Sequence, residues 1–543
     1  MSATTRRRGP NPHTPEIALL VVLFVALLVL LPFYDPLLGL VAGAIAAVAA
    51  GLAGLWVLRR RRVPAVDRAA AHLPGPALLR RSSRAGAAAE AVRLGARVPS
   101  APGVFIGRTV RGDRELWGSW EDMHLDIWGP RSGKTSSRAI PGIVGAPGSV
   151  VVTSNKRDIV DATRGVRERR GPVWVFDPQQ LAGEPPSWWW NPLSFIGDNI
   201  AKAVMLGSFF SGINRGPHMR TDGYFEPAAQ SLLGAYLLAA ALDDLPITRV
   251  VTWLHRPNDG TALRILRDAG PKHTLAADGV AALHGAPARQ RAGVFGAAAQ
   301  MVAFLASPEV IRWVTPGDGP RRPEFRHDDF ASRDDATLYL LSQETDRTAA
   351  PLVLAFASAI AYAQEGRAIE SPGGRLPVPA LYVLDEAANV CPWLELPFLY
   401  SHYGSRGIVI MTILQSWAQG VSVWGEAGMA QMWDAANVRV HGGGSADIAL
   451  TGALSAVTPS FEPRVTSVSF SARSVFGRTV GLSSRPEPVL DVADLANLPR
   501  GRAFVQVSGH APTLVRTVPW WHGPYAEAVR ESLARYGPRA TAS

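Results

Sequence analysis

Ala380–Val390 reads ALYVLDEAANV. Five apolar residues in a row, followed at once by two acids, describe a strand buried on both faces that delivers Asp385 and Glu386 at its carboxyl end. Upstream, Met123–Trp128 (MHLDIW) runs into GPRSGKTSS, Gly129–Ser137. This is a second short strand, then a glycine-containing loop, then residues able to open a helix. Strand, loop and helix in that order are what a phosphate-binding P-loop needs. Its glycines let successive backbone N–H groups face an anion at a positive helix end. The two stretches decide the fold together, because either alone is a common pattern.

In this reading Gly129, Pro130, Arg131, Ser132, Gly133, Lys134, Thr135 and Ser136 line the nucleotide. Lys134 reaches the β- and γ-phosphates of ATP, and the Thr135 hydroxyl and Asp385 bind Mg²⁺. Glu386 polarises the attacking water as general base. The loop departs from G-x-x-x-x-G-K-[ST] at one place. With Gly133 as the second glycine, the first falls on Trp128, and Gly129 stands one position late.

Further strands flank the pair: Val150–Ser154 (VVVTS), Val173–Asp177 (VWVFD), Thr337–Leu341 (TLYLL) and Ile408–Thr412 (IVIMT). Alternation of strands with helices predicts an α/β fold with a doubly wound parallel sheet and nucleotide at the strands' carboxyl ends. Gln415 follows the IVIMT strand and would orient the attacking water there, or be a capping glutamine with no such role. Residues 186–334 lack strand alternation and are rich in Ala and Leu at helical spacing, which predicts an inserted all-α domain. Trp188–Trp190 is a packing corner or a platform for stacking bases. The single cysteine, Cys391, excludes an internal disulfide framework.

Ile17–Tyr34 and Leu37–Leu58 are nearly free of charge, each close to the ~20 residues that span a bilayer. Arg6–Arg8 and Arg59–Arg62 flank them on the outside. The expectation is a two-helix transmembrane hairpin within residues 1–62, making a multi-pass plasma-membrane protein with both termini cytoplasmic. Residues 1–100 hold 13 Lys and Arg against 4 Asp and Glu, a balance of +9 out of the chain's +10, which leaves +1 for residues 101–543. The basic charge therefore belongs to the hairpin's flanks and gives no sign of a DNA groove, although Arg138 or Arg157 could supply one locally. Domains follow: 63–100 a linker, 101–185 and 335–520 the ATPase core, 186–334 the insertion, 521–543 a C-terminal tail.

GPRSGKTSS, VVTSNKRD, VFDP…WWNPL and LDEAANV…LPFLYSHYGSRGIVIMTILQSWAQ together resemble the TraG/TraD-type coupling ATPases of conjugation and type IV secretion. DLANLPRGRAFVQVSGHAPTLVRTVPWW is similar to that family's closing segment. The resemblance covers roughly residues 100–520. It implies a RecA-like P-loop NTPase core with an all-α domain and a membrane hairpin. It implies homo-hexameric rings that recruit DNA or a relaxase–DNA complex to secretion-channel components. It also implies Arg406, in GSRG, as a candidate finger for a neighbour's γ-phosphate; a surface arginine without a partner is the other reading. A protein-secretion or chromosome-partitioning translocase, and a nucleotide-binding membrane scaffold without turnover, are the alternatives.

Overall fold

The computed structural model describes residues 64–538 except 74, 76–78, 97–100, 213–224, 318, 446, 462–463, 471–477 and 485, together with positions 44, 48 and 51. It divides into two compact units, Pro74–Leu450 with Ala496–Ser543, and Met1–Leu73 with Thr451–Leu495. In the smaller unit the His72 ring stacks on Phe461 at 4.9 Å, and a backbone hairpin pairs Arg464–Phe470 with Arg478–Ser484.

The larger unit is built on an eleven-stranded sheet. In chain order the strands are β1 (Val104–Thr109), β2 (Glu115–Gly118), β3 (His124–Ile127), β4 (Val150–Ser154), β5 (Val173–Phe176) and β6 (Thr337–Leu341). Then come β7 (Ala380–Leu384), β8 (Ile408–Leu414), β9 (Val438–Gly442), β10 (Arg502–Val507) and β11 (Thr513–Arg516). Across the sheet they lie β2-β1-β11-β10-β9-β3-β8-β7-β4-β6-β5. The seven from β9 to β5 are parallel, and the four at the other edge run antiparallel.

The continuous apolar runs have a direct cause. Along β7, Tyr382 and Leu384 pack into the core on one face, while Leu381 and Val383 pack into the core on the other. A strand covered on both faces loses the in-out alternation of an exposed sheet. Each such side chain contributes about 1.5–3 kcal/mol by leaving water.

Between β5 and β6 the chain leaves the sheet and becomes helical, from Ile200–Gly212 to Pro308–Val314. Phe225–Leu242 is its hub, with Leu232, Leu233, Tyr236, Leu237 and Leu238 all buried. A short parallel pair, Trp189–Trp190 with Glu324–Phe325, closes its neck. Trp190 is wholly buried and stacks on Phe356 at 4.1 Å, and Trp188 meets Trp313 edge-on at 5.1 Å. The tryptophan cluster is thus a packing corner with no free ring face on Trp190 for a base.

One expectation is corrected. The multi-pass plasma-membrane localisation does not stand: among the described residues no helix is long and apolar enough to cross a membrane. The longest described, Ala350–Glu370, carries Glu365, Arg367 and Glu370 and gives its apolar surface to the core through Leu352, Phe356 and Ile360. The expected hairpin lies outside the described residues apart from positions 44, 48 and 51. Within 63–100, Arg84–Arg93 is a helix capped by Ser83, and Ala91 and Leu94 are buried in the sheet's core. Within 521–543, Ala526–Tyr536 is a helix docked on Asp158–Glu168, with Val529 buried and Ser532 Oγ donating to the Asp161 carbonyl at 2.6 Å.

Candidate nucleotide site

The parallel order places β8 between β3, which leads into the P-loop, and β7, which ends in the acids. Lys134, Asp385–Glu386 and Gln415 therefore emerge from three adjacent strands at one edge of the sheet. They touch. Lys134 Nζ donates to Glu386 Oε1 and lies 3.9 Å from Asp385 Oδ1. Gln415 Nε2 donates to the other Glu386 oxygen at 2.7 Å.

The off-pattern P-loop has a packing explanation. Trp128 is buried, extends the β3–β8 ladder by donating its backbone N–H to the Leu414 carbonyl (2.9 Å), and donates Nε1–H to Asp126 (3.1 Å). Its ring lies flush against Gly442, where a Cβ would come within 1.9 Å of it. The close backbone approach passes to Gly129, whose Cβ would sit 2.2 Å from the Gly444 carbonyl oxygen. Gly133, at φ +94°, makes the turn before Lys134, and Arg131 also sits in the left-handed region at φ +56°. Ser132 and Ser136 donate back to the Gly129 and Gly133 carbonyls at 2.5 and 3.1 Å. Pro130 and Arg131 are exposed at the loop's crown, and Thr135 begins the helical run that continues to Gly145.

Asp385 and Glu386 are both buried. Burial pushes the Asp385 carboxyl up to about 7; Lys134 opposes this and neighbouring Glu386 reinforces it. Asp385 Oδ1 has no hydrogen-bond partner among the described residues. A buried unpartnered carboxylate oxygen 3.9 Å from Lys134 Nζ, with the Thr135 hydroxyl on the next residue of that loop, is a hard-oxygen set that suits Mg²⁺, an ion that keeps most of its shell as water and phosphate. Glu386 itself adopts φ +53°, the kind of strained backbone that persists where surroundings hold it.

Arg406 is not brought to this edge. It precedes β8 at the strand's opposite end, with its Nε 3.1 Å from Glu365. Arg138 and Arg157 are both held by internal partners. Arg138 is fully buried on Asp126 at 2.7 Å, and Arg157 holds Asp161 at 2.7 Å and the Tyr536 carbonyl at 2.8 Å. Cys391 is buried, and burial raises its thiol pKa, so it packs as a small hydrophobe.

Sequence reasoning missed a polar cluster next to the acids. Asn155 Nδ2 and Asn389 Nδ2 donate to the two oxygens of Glu344 at 3.2 and 2.5 Å, and Arg347 donates to Asn389 Oδ1 at 3.3 Å. Asn155 follows β4 as Asp385 follows β7, and a polar residue at the end of a buried parallel strand was the available signal.

A family model described as the TraM recognition site of TraD and TraG matches residues 379–500, from the strand bearing the acids to Arg500. Over that segment the chain resembles the TraG/TraD type. Among solved structures, the chain is similar to the conjugative coupling protein TrwBdeltaN70 in an unbound form: 16% identity, TM-score 0.54, covering 79% of this chain and 91% of that one. It is similar also to TrwB with the non-hydrolysable GTP analogue GDPNP (16% identity, TM-score 0.53, 73% and 86%). The same holds for TrwB with the ATP analogue ADPNP (15%, 0.51, 73% and 86%). At such identities these likenesses carry the fold, a mixed α/β P-loop core. Among curated proteins none matches.

Proposed function

We propose that the chain is an ATP-hydrolysing coupling motor that recruits DNA or a relaxase–DNA complex and drives it towards a type IV secretion channel. The observation that carries the reading is the convergence of Lys134, Asp385, Glu386 and Gln415 at one edge of the sheet. Lys134 exchanges Glu386 for phosphate oxygens when ATP enters, which frees the carboxylate to take a proton from the attacking water. Gln415, already on Glu386, orients that water. Thr135 and Asp385 would hold Mg²⁺, which supplies charge neutralisation at the phosphates.

Arg406 serves in this reading only in trans. Lying at the far end of β8, it would leave Glu365 for a neighbouring copy's γ-phosphate within a ring of six. The segment 379–500, by its likeness to the TraM recognition site, is the part assigned to a TraM-like partner.

Cargo is tested by ATP hydrolysis with added single-stranded DNA. A DNA motor should be stimulated, with stimulation fading between roughly 50 and 200 mM salt as counterion release weakens binding. No stimulation at any salt sinks the DNA reading. The second reading, a protein cargo, is favoured by one observation: Arg138 and Arg157 are both spent on internal partners.

A further inference from the structure

The β9 side of the P-loop carries a feature that the catalytic reading does not use. The turn Gly442–Ser445 lies between the loop and the Leu498–Arg500 turn. Gly129 N–H donates to the Gly443 carbonyl at 3.2 Å, and Gly444 packs on Gly129. On its other side, a Cβ on Gly443 would come within 2.5 Å of the Leu498 carbonyl oxygen. Ser445, at the end of this turn, is only 5% exposed, and its hydroxyl has no hydrogen-bond partner among the described residues. Arg500 is exposed and donates from Nη2 to the Arg131 carbonyl of the P-loop at 2.7 Å. A buried hydroxyl left unpaired costs free energy that a ligand group can recover. A guanidinium with donors to spare beside a phosphate loop suits an anion.

The sheet order says which part of a ligand lies here. Asp385 and Glu386 follow β7, on one side of β3, whereas the Gly442–Ser445 turn follows β9, on the other. A nucleotide whose γ-phosphate faces the acids across the P-loop extends its other end towards the β9 side. We propose that Ser445 and Arg500 form a second wall of the nucleotide site, taking the ribose and α-phosphate of a nucleoside triphosphate, so that the site recognises a nucleotide and not merely a polyphosphate. The inference rests on the nucleotide-site reading above and deepens it.

The test is the affinity of the full chain for ATP, ADP and inorganic tripolyphosphate by calorimetry, in wild type, Arg500→Ala, Arg500→Lys and Ser445→Ala. Arg500→Ala should weaken ATP and ADP about tenfold, as for loss of a charged hydrogen bond, and Ser445→Ala roughly threefold. Tripolyphosphate carries a third phosphate but no ribose, so it should share the Arg500→Ala loss and bind Ser445→Ala as it binds wild type, and Arg500→Lys should keep most of the nucleotide affinity. An equal loss of tripolyphosphate affinity in Ser445→Ala would make Ser445 a prop for the P-loop and overturn the proposal; so would unchanged ATP and ADP affinities in the variants. If Arg500→Ala fails to fold by thermal unfolding, Ser445→Ala against the same three ligands decides. Wild type that binds neither ATP nor ADP would overturn the nucleotide-site reading itself, a result distinct from any change confined to the variants.

Discussion

Two buried ion clusters stand four residues apart on the same helical run, and they differ in how completely they are satisfied. Arg138 gives Nε–H to Asp126 at 2.7 Å and Nη2 to the other Asp126 oxygen at 3.2 Å; it also contacts His124 Nδ1 at 3.1 Å and donates to the Phe105 carbonyl. Asp126 also accepts from Trp128. Lys134 faces two carboxylates instead of one, and one of these retains an unpartnered oxygen and a carboxyl pKa raised to about 7. Both clusters look alike in the sequence, as a basic residue in GKTSSR. Their carboxylates tell them apart: both oxygens of Asp126 are bonded and fix structure, and Asp385 keeps an oxygen for a ligand to complete.

The contrast can be broken in order of expected effect. Lys134→Ala should cost about a hundredfold in ATP affinity, the scale of a lost charge-assisted contact, in equilibrium binding. If ATP binds as before, the Lys134 cluster is not a phosphate site. Arg138→Ala should instead cost about 3–5 kcal/mol of stability, since it strands a buried Asp126; denaturant unfolding reads this as a lower midpoint at unchanged slope. A loss under about 1 kcal/mol would remove the structural role assigned to the Arg138 cluster. Gln415→Ala should lower kcat about tenfold with KM unchanged, because its amide holds the Glu386 carboxylate; steady-state rates equal to wild type would return Gln415 to a capping role. Smallest is Arg157→Ala. Its pair with Asp161 is a third exposed and should contribute no more than about 1 kcal/mol, with DNA affinity and its salt slope unmoved. A reduced salt slope would put Arg157 on a phosphate.

Much of this site was legible because it depends on local pattern. The runs VVVTS, TLYLL, ALYVL and IVIMTIL are buried parallel strands, DE follows the end of ALYVL, and GKT stands at the helix start after β3 and its loop. What stayed hidden depends on pairs distant in sequence. No periodicity in IVIMT says that this strand inserts between β3 and β7, yet that insertion brings Gln415 onto Glu386. Trp128 reads as a defect until Gly442 is seen beneath its ring. Arg138 and Arg157 read as available charge until Asp126 and Asp161 are found against them. The four antiparallel strands at the far edge join β1 and β2 to β10 and β11 across most of the chain, a pairing that local sequence does not encode. The docked helix Ala526–Tyr536 is hard to read from the sequence because its apolar side chains are few, chiefly Val529 and Leu533 with Ala528.

The most direct test of the account is the Glu386→Gln chain, with ATP binding and ATP turnover measured side by side. Because the amide keeps the shape of the carboxylate but cannot take a proton, binding should persist while hydrolysis falls about a hundredfold or more. Hydrolysis at the wild-type rate would contradict the account, since the acid held by Lys134 and Gln415 would then not be the base.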